Sequence, residues 1–240
     1  MPYSYYYGFD WTYFVLVLPC ILLSLWASSN VNSTFRKYAN QHSSRRLTGA
    51  EAAQRVLAAN GVRGVRIDRV SGNLTDHFDP KTNVIRLSDS VYGSTSTAAI
   101  GVACHEAGHA VHYAQNYGPI KLRAAIIPIT NFGSKIAMPL ILVGILLSAM
   151  GEISYTFIYL GIAAFSLSLV FQLVTLPVEF NASRRAMQAI ESANILTEEE
   201  QRGARKTLTA AAMTYVAATA VSLAQLLRLI LLYGRRRRRD

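Results

Sequence analysis

Four stretches of the chain carry no charge and are dominated by apolar residues: Trp11–Ser28, Ile136–Gly151, Ile153–Val178 and Thr207–Leu227. A helix rising 1.5 Å per residue needs about 20 such residues to cross the hydrocarbon of a bilayer. Only Glu152 separates the second stretch from the third, which predicts a helical hairpin. The fourth is Ala-rich and runs through Gln225 into Arg228, so the pattern predicts three or four transmembrane helices. Between these stretches the periodicity changes. Thr48-Gly-Ala-Glu51 has capping-box spacing and opens a helix to about Ala59, stopped by Asn60-Gly61. "RGVRIDRV", "NLTDHFD" and "NVIRLS" alternate or concentrate β-formers around the turn "DPKTN" and predict a small sheet of three strands. Ser94 or Thr95 then caps a helix from about Ser96 to Tyr117, with Gly118-Pro119 as its stop. Glu179–Ala193 reads as one more helix, and Thr197–Glu200 repeats the capping-box spacing at the start of another. The fold class is therefore a mainly α integral membrane protein with a small three-stranded β-sheet.

Charge changes this picture only in detail. The net charge of +10 raises the question of nucleic acid, but no helix or strand presents a basic stripe interleaved with aromatics. Basic residues that flank membrane spans and set topology explain the balance, so the expected partner is the lipid bilayer and not nucleic acid. "MPYSYYYGFD" lacks the basic start of a cleavable leader, so the first span is read as a retained anchor whose tyrosines and Trp11 suit the membrane interface. Arg36, Lys37, Arg45 and Arg46 follow that span and no Lys or Arg precedes it, which places the following loop in the cytoplasm. The tail Arg235–Arg239 suits anionic headgroups but opposes this topology if the fourth stretch crosses. Either residues 207–233 pack without crossing, or the loop faces outward; the cytoplasmic face is the expectation. Cys20 and Cys104 have no metal or disulfide spacing and are read as packing residues.

The candidate chemistry lies in "GVACHEAGHAVHYA", Gly101–Ala114. His105 and His109 are four apart and share one helix face, so both imidazoles can reach one ion. Glu106 is rotated by about 100° and stands beside that ion without joining it. This H-E-x-x-H spacing is that of zinc proteases: zinc acidifies a water and polarises a carbonyl, and the Glu moves the proton. Gly108 sits mid-helix at a cost of about 1 kcal/mol relative to Ala, which a close approach to another element would explain. A third ligand is needed. His112 is seven residues beyond His105, a rise of about 10 Å, too far for bonds near 2 Å. His42 lies in a polar connector. His77, in the "NLTDHFD" strand, can line a substrate cleft. Glu179 follows the hairpin, whose two crossings return the chain to the side of the motif. Residue chemistry alone leaves Glu179 either a ligand or a first-turn Glu favoured by the helix dipole.

"SGNLTDHFDP", "LS", "VY", "HEAGHA", "PVEFNASRRA" and "TYVAA", in that order along nearly the whole chain, resemble the membrane-embedded neutral zinc metallopeptidases of bacteria. The resemblance implies a gluzincin-like enzyme with a Zn2+ cofactor, His105, His109 and Glu179 as ligands and Glu106 as the catalytic residue. It also implies a protein or peptide substrate and a multi-pass location in a bacterial cell membrane. On that basis residues 1–29 form the membrane anchor, 30–135 the helix, small sheet and HExxH helix of the protease part, and 136–178 the transmembrane hairpin. Residues 179–206 form the third-ligand helix, and 207–240 an apolar helix with its Arg-rich tail. Two positions depart from the family pattern: Asn181 stands where Asp is usual, and His112 where Gln is common. An oxyanion partner is expected from His77, Arg184 or Tyr215. The competing reading is a non-catalytic scaffold that retains a zinc site, which has no need of Glu106. A transporter is disfavoured because Lys135, Glu152 and Arg228 all fall near predicted span ends.

Overall fold

The computed structural model describes residues 10–234; the expectations for the N-terminal tyrosines and for Arg235–Arg239 fall outside them. A π-turn over Tyr13–Val17 leads into α1 (Leu18–Ala39). There follow α2 (Gly49–Ala59), β1 (Arg66–Val70), β2 (His77–Asp79), β3 (Val84–Ser88), α3 (Asp89–Tyr92) and α4 (Thr97–Ala114). The chain ends with α5 (Gly118–Leu146), a short 3-10 turn, α6 (Glu152–Ser192) and α7 (Glu198–Tyr233). Four helices are long and apolar enough to cross a membrane: Tyr13–Ala39, Gly118–Leu146, Glu152–Ser192 and Glu198–Tyr233. Contacts group the chain into two compact units. One holds the residues up to Trp26, Ile126–Leu173 and those from Val216 onward; the other holds Ala27–Ala125 and Val174–Tyr215.

Within the first unit, α5 and α6 meet through small residues. Gly144 lies against Ile158 and the Ser154 carbonyl, and Gly161 against Ile141 and the Ala137 carbonyl. Arg228, near the end of α7, pairs with Asp10, just ahead of the first apolar helix, and its guanidinium lies over the Tyr13 ring. Tyr159 donates to the Tyr233 carbonyl. The start of the first long helix and the end of the fourth are therefore at one end of this unit.

The second unit is built around α4. Ser96 caps it by accepting from the Ala99 N–H, and nearly all of its residues are buried, from Thr97 through Ala103 and Cys104 to Val111 and His112. A helix buried on most of its faces is a core element. It packs with Ala52, Val56 and Leu57 of α2, Ile85 and Leu87 of β3, and Ile190 of α6. Its glycines explain the closeness. A Cβ on Gly108 would lie 3.1 Å from the Ala182 carbonyl oxygen of α6, and one on Gly101 would lie 3.1 Å from the Ala204 Cα of α7. The helix-propensity cost of Gly108 is thus offset by contact. The sheet order is β1-β3-β2, with β1 parallel and β2 antiparallel to β3, so β2 is an edge strand. The capping boxes are formed: Thr48 with Glu51 ahead of α2, and Thr197 with Glu200 ahead of α7.

Four boundaries differ from the sequence reading. The second apolar stretch, read as Ile136–Gly151, is the latter half of a helix running Gly118–Leu146, with Ser148–Met150 in a 3-10 turn. "NLTDHFD" is strand only over His77–Asp79, because Leu74 adopts a left-handed φ of 55°. The motif helix ends at Ala114 and not at Gly118: just past it, Asn116 takes a φ of 57° that lets the Tyr117 N–H reach back to the His112 carbonyl. Gly118-Pro119 instead opens α5, where a proline loses nothing because first-turn N–H groups have no intrahelical acceptor. Finally, Glu179–Ala193 is no separate helix. α6 runs unbroken from Glu152 to Ser192 through Pro177, so the change from apolar to polar composition marks a change of surroundings and not a helix end.

Candidate metal centre

Glu179 lies deep in the interior of α6, 2% exposed, and not in a first turn. Its Oε2 is 3.2 Å from His105 Nε2 and 3.4 Å from His109 Nε2, and the two imidazole nitrogens are 3.1 Å apart. Three potential ligand atoms thus converge across α4 and α6, all within 4.8 Å of one another. A tetrahedral ion with bonds of about 2.0–2.2 Å holds neighbouring ligand atoms about 3.3–3.5 Å apart, so the three atoms fit zinc. Their chemistry agrees: with both imidazoles neutral and their Nε2 lone pairs turned inward, the two nitrogens and the carboxylate would repel unless a cation lay between them. His105 is aimed by its other nitrogen, with Nδ1 3.2 Å from Ser183 Oγ. Burial favours the neutral ring, yet the bond to Glu179 and the charges of Glu106 and Glu179 outweigh it and lift the His105 pKa above its ordinary value. The field at this point attracts positive charge.

Beside the cluster is a cavity of about 230 Å³, lined by His105, Glu106, Glu179, Asp76, Ser183 and Tyr215 among apolar side chains such as Val102, Leu74 and Leu208. Glu106 is 8% exposed and faces this space from the next position on α4, as the 100° rotation predicts. Asp76 accepts from the Ser88 N–H and hydroxyl; burial, reinforced by the charge of Glu106, pushes its pKa up. A larger cavity of about 410 Å³, lined by Arg184, Arg185 and Gln188, touches none of the three candidate ligands.

Of the remaining sequence candidates, Tyr215 lines the cavity beside Glu106. Arg184 lines the larger one instead. His77 stands exposed at the start of β2 with its Nδ1 2.9 Å from the Thr75 carbonyl, and does not line the cavity with Glu106. His112 is fully buried one turn past His109. Its Nε2 is 3.1 Å from Asn181 Oδ1, Asn181 donates to the Tyr117 hydroxyl, and the Tyr117 ring stacks on the imidazole. The two departures from the family pattern therefore touch each other. Sequence reasoning missed Arg123, whose Nη1 is 3.0 Å from Glu179 Oε1. It missed Ser183 as well. Arg123 at the head of a long apolar helix reads as a topology anchor, and no spacing ties it to Glu179.

The family model described as "Putative neutral zinc metallopeptidase" matches residues 13–234. The chain belongs to this family. It is 46% identical over 218 residues to a Bacillus subtilis (strain 168) protein named "Putative membrane protease YugP", covering 91% of this chain and 95% of that one. No solved structure matches the chain. Zinc is the family's metal, and His105, His109 and Glu179 form the site that suits it.

Proposed function

We propose that this chain is a membrane-bound zinc metalloendopeptidase that hydrolyses peptide bonds of membrane-associated or misfolded proteins. The observation that carries the reading is the convergence of His105, His109 and Glu179 with Glu106 next to them in a cavity. Zinc held by the three side chains supplies Lewis acidity, bringing the pKa of a water toward neutrality and polarising a carbonyl. Glu106 takes the proton of the attacking water and returns it to the leaving amine. Ser183 keeps His105 aimed at the site. Tyr215, the oxyanion candidate that shares the cavity with Glu106, donates its hydroxyl hydrogen to the carbonyl oxygen as charge develops there. The apolar lining excludes water, and the substrate backbone extends along the open side of β2, the edge strand that pairs only with β3 among the described residues.

A scaffold with structural zinc would be expected to close the ion with four protein ligands; among the described residues three converge, and a carboxylate stands beside them. We read the site as facing the cytoplasm from a bacterial cell membrane. With four crossings, basic residues flank the spans on its side in every loop: Arg36 and Lys37, Lys121 and Arg123, Arg184 and Arg185, then Arg202, Arg205 and Lys206. Among the described residues the opposite side carries Arg228. The test is proteolysis of a casein-type substrate by purified protein in detergent, with and without chelator and with Glu106→Gln. Cleavage that needs metal and Glu106 supports the reading; equal cleavage in all three samples ends it.

A further inference from the structure

Glu179 has two carboxylate oxygens, and they meet different partners. Oε2 faces both imidazoles, while Oε1 is 3.0 Å from Nη1 of Arg123, and the Tyr215 hydroxyl also hydrogen-bonds the carboxylate. The carboxylate is 2% exposed and the Arg123 side chain only 27%, so the pair is shielded from water on the carboxylate side. We propose that Arg123 is a positioning residue of the metal centre: it occupies one oxygen of Glu179, so that only the other is offered to the ion and a coordination position stays open for substrate. The proposal rests on the zinc-peptidase reading and adds a residue and a task to it.

Three features of the chain support it. A carboxylate left unpaired at this depth is costly, and the Arg123 guanidinium stands as its counter-charge. A free carboxylate beside zinc can bind through either oxygen or both, and the second bond would take the position that substrate needs; the Arg123 guanidinium, ion-paired with Oε1 at 3.0 Å, removes that choice. The backbone also fixes where Arg123 stands. α4 and α5 are joined by Gln115–Tyr117 alone. Tyr117 is pinned by its stack on His112 and by the Asn181 amide. The first turns of α5, which carry Arg123, are thereby tied to the helix that carries both histidines.

The test uses the full-length protein in detergent, loaded with Co2+ in place of zinc. Four-coordinate cobalt without a centre of symmetry absorbs visible light far more strongly than five- or six-coordinate cobalt, so band intensity reports ligand count. Wild type should show the intense four-coordinate spectrum. Arg123→Met, which removes every donor, should still bind one cobalt per chain but lose band intensity several-fold as Oε1 joins the ion. Arg123→Lys, which keeps a cation at that oxygen, should restore most of it. A spectrum of Arg123→Met equal to that of wild type would overturn the proposal. X-ray absorption on zinc-loaded wild type gives an answer that does not depend on the variant folding: four nearest N/O neighbours agree, and a two-oxygen carboxylate contact refutes it. If wild type and Glu179→Ala alike bind no metal, the zinc reading itself falls, an outcome distinct from normal metal loading with an unchanged Arg123→Met spectrum.

Discussion

Two histidine clusters lie between α4 and α6, one helical turn apart. In the first, His105, His109 and Glu179 aim lone pairs at a common point, with His105 and His109 nitrogens 3.1 Å apart. In the second, His112, Asn181 and Tyr117 form a chain in which each contact joins a donor to an acceptor or a ring to a ring. The residue types and the depth are similar; the outcome differs because of where acceptors face. Acceptors facing acceptors need a cation, whereas the Asn181 amide meets His112 Nε2 on one side and the Tyr117 hydroxyl on the other, leaving His112 Nδ1 without a partner among the described residues. Burial of a histidine beside an HExxH motif therefore says little about metal. The direction of its nitrogens decides.

The largest effect separating the clusters should come from Glu179→Ala. Bound zinc, measured by elemental analysis of the purified protein, should fall from one per chain to near none, with proteolysis lost alongside. Zinc content that stays at one per chain would make the first cluster no different in kind from the second. Glu106→Gln should leave zinc content unchanged yet lower the hydrolysis rate by about 10²–10⁴-fold; loss of both together would mean that Glu106 serves the fold. Gly108→Leu probes what the clusters share. The Ala182 carbonyl would lie 3.1 Å from a new Cβ, and overpacking of this kind costs about 1–3 kcal/mol. The melting temperature in detergent and the zinc affinity should fall together, because the change pushes α6 and its Glu179 away from α4.

The smallest effect concerns pH. Burial, with the nearby charge of Arg185, lowers the His112 pKa to about 4, against an ordinary histidine value of about 6.5. Between those values the unfolded chain binds a proton that the folded chain does not. The stability from neutral, buried His112 is therefore fully present above pH about 6.5 and is lost as pH falls toward 4. His112→Gln should melt with less dependence on pH across this window while keeping its zinc. A wild-type melting temperature that is flat from pH 7 to pH 5 would remove the distinction drawn for the second cluster.

Much of the site was legible because helical periodicity is local. His105 and His109 at i and i+4 share a face by geometry alone, and Glu106 is turned aside by the same rule. The four apolar stretches announced membrane-length helices for a similar reason, since span length follows from composition. Local signals failed where two conformations competed for one residue. Gly118-Pro119 serves equally as a helix stop or a first turn, and Asn116 took the left-handed position before Gly118 could. The break expected before Glu179 was a change of polarity that leaves backbone hydrogen bonding untouched.

The sequence by itself determined the four apolar stretches, the imidazole pair and the resemblance to the family, because each is written in short-range spacing or ordered motifs. Glu179 as third ligand came from resemblance, since no spacing rule reaches across 70 residues. Only the tertiary structure decided which way its two oxygens face, that Arg123 holds one of them, and that Asn181 and His112 answer each other. Those facts depend on the approach of α4 to α6 and of the first turns of α5 to both. That approach is fixed by packing at Gly108 and by buried charge, whose cost depends on surroundings that no stretch of chain specifies alone.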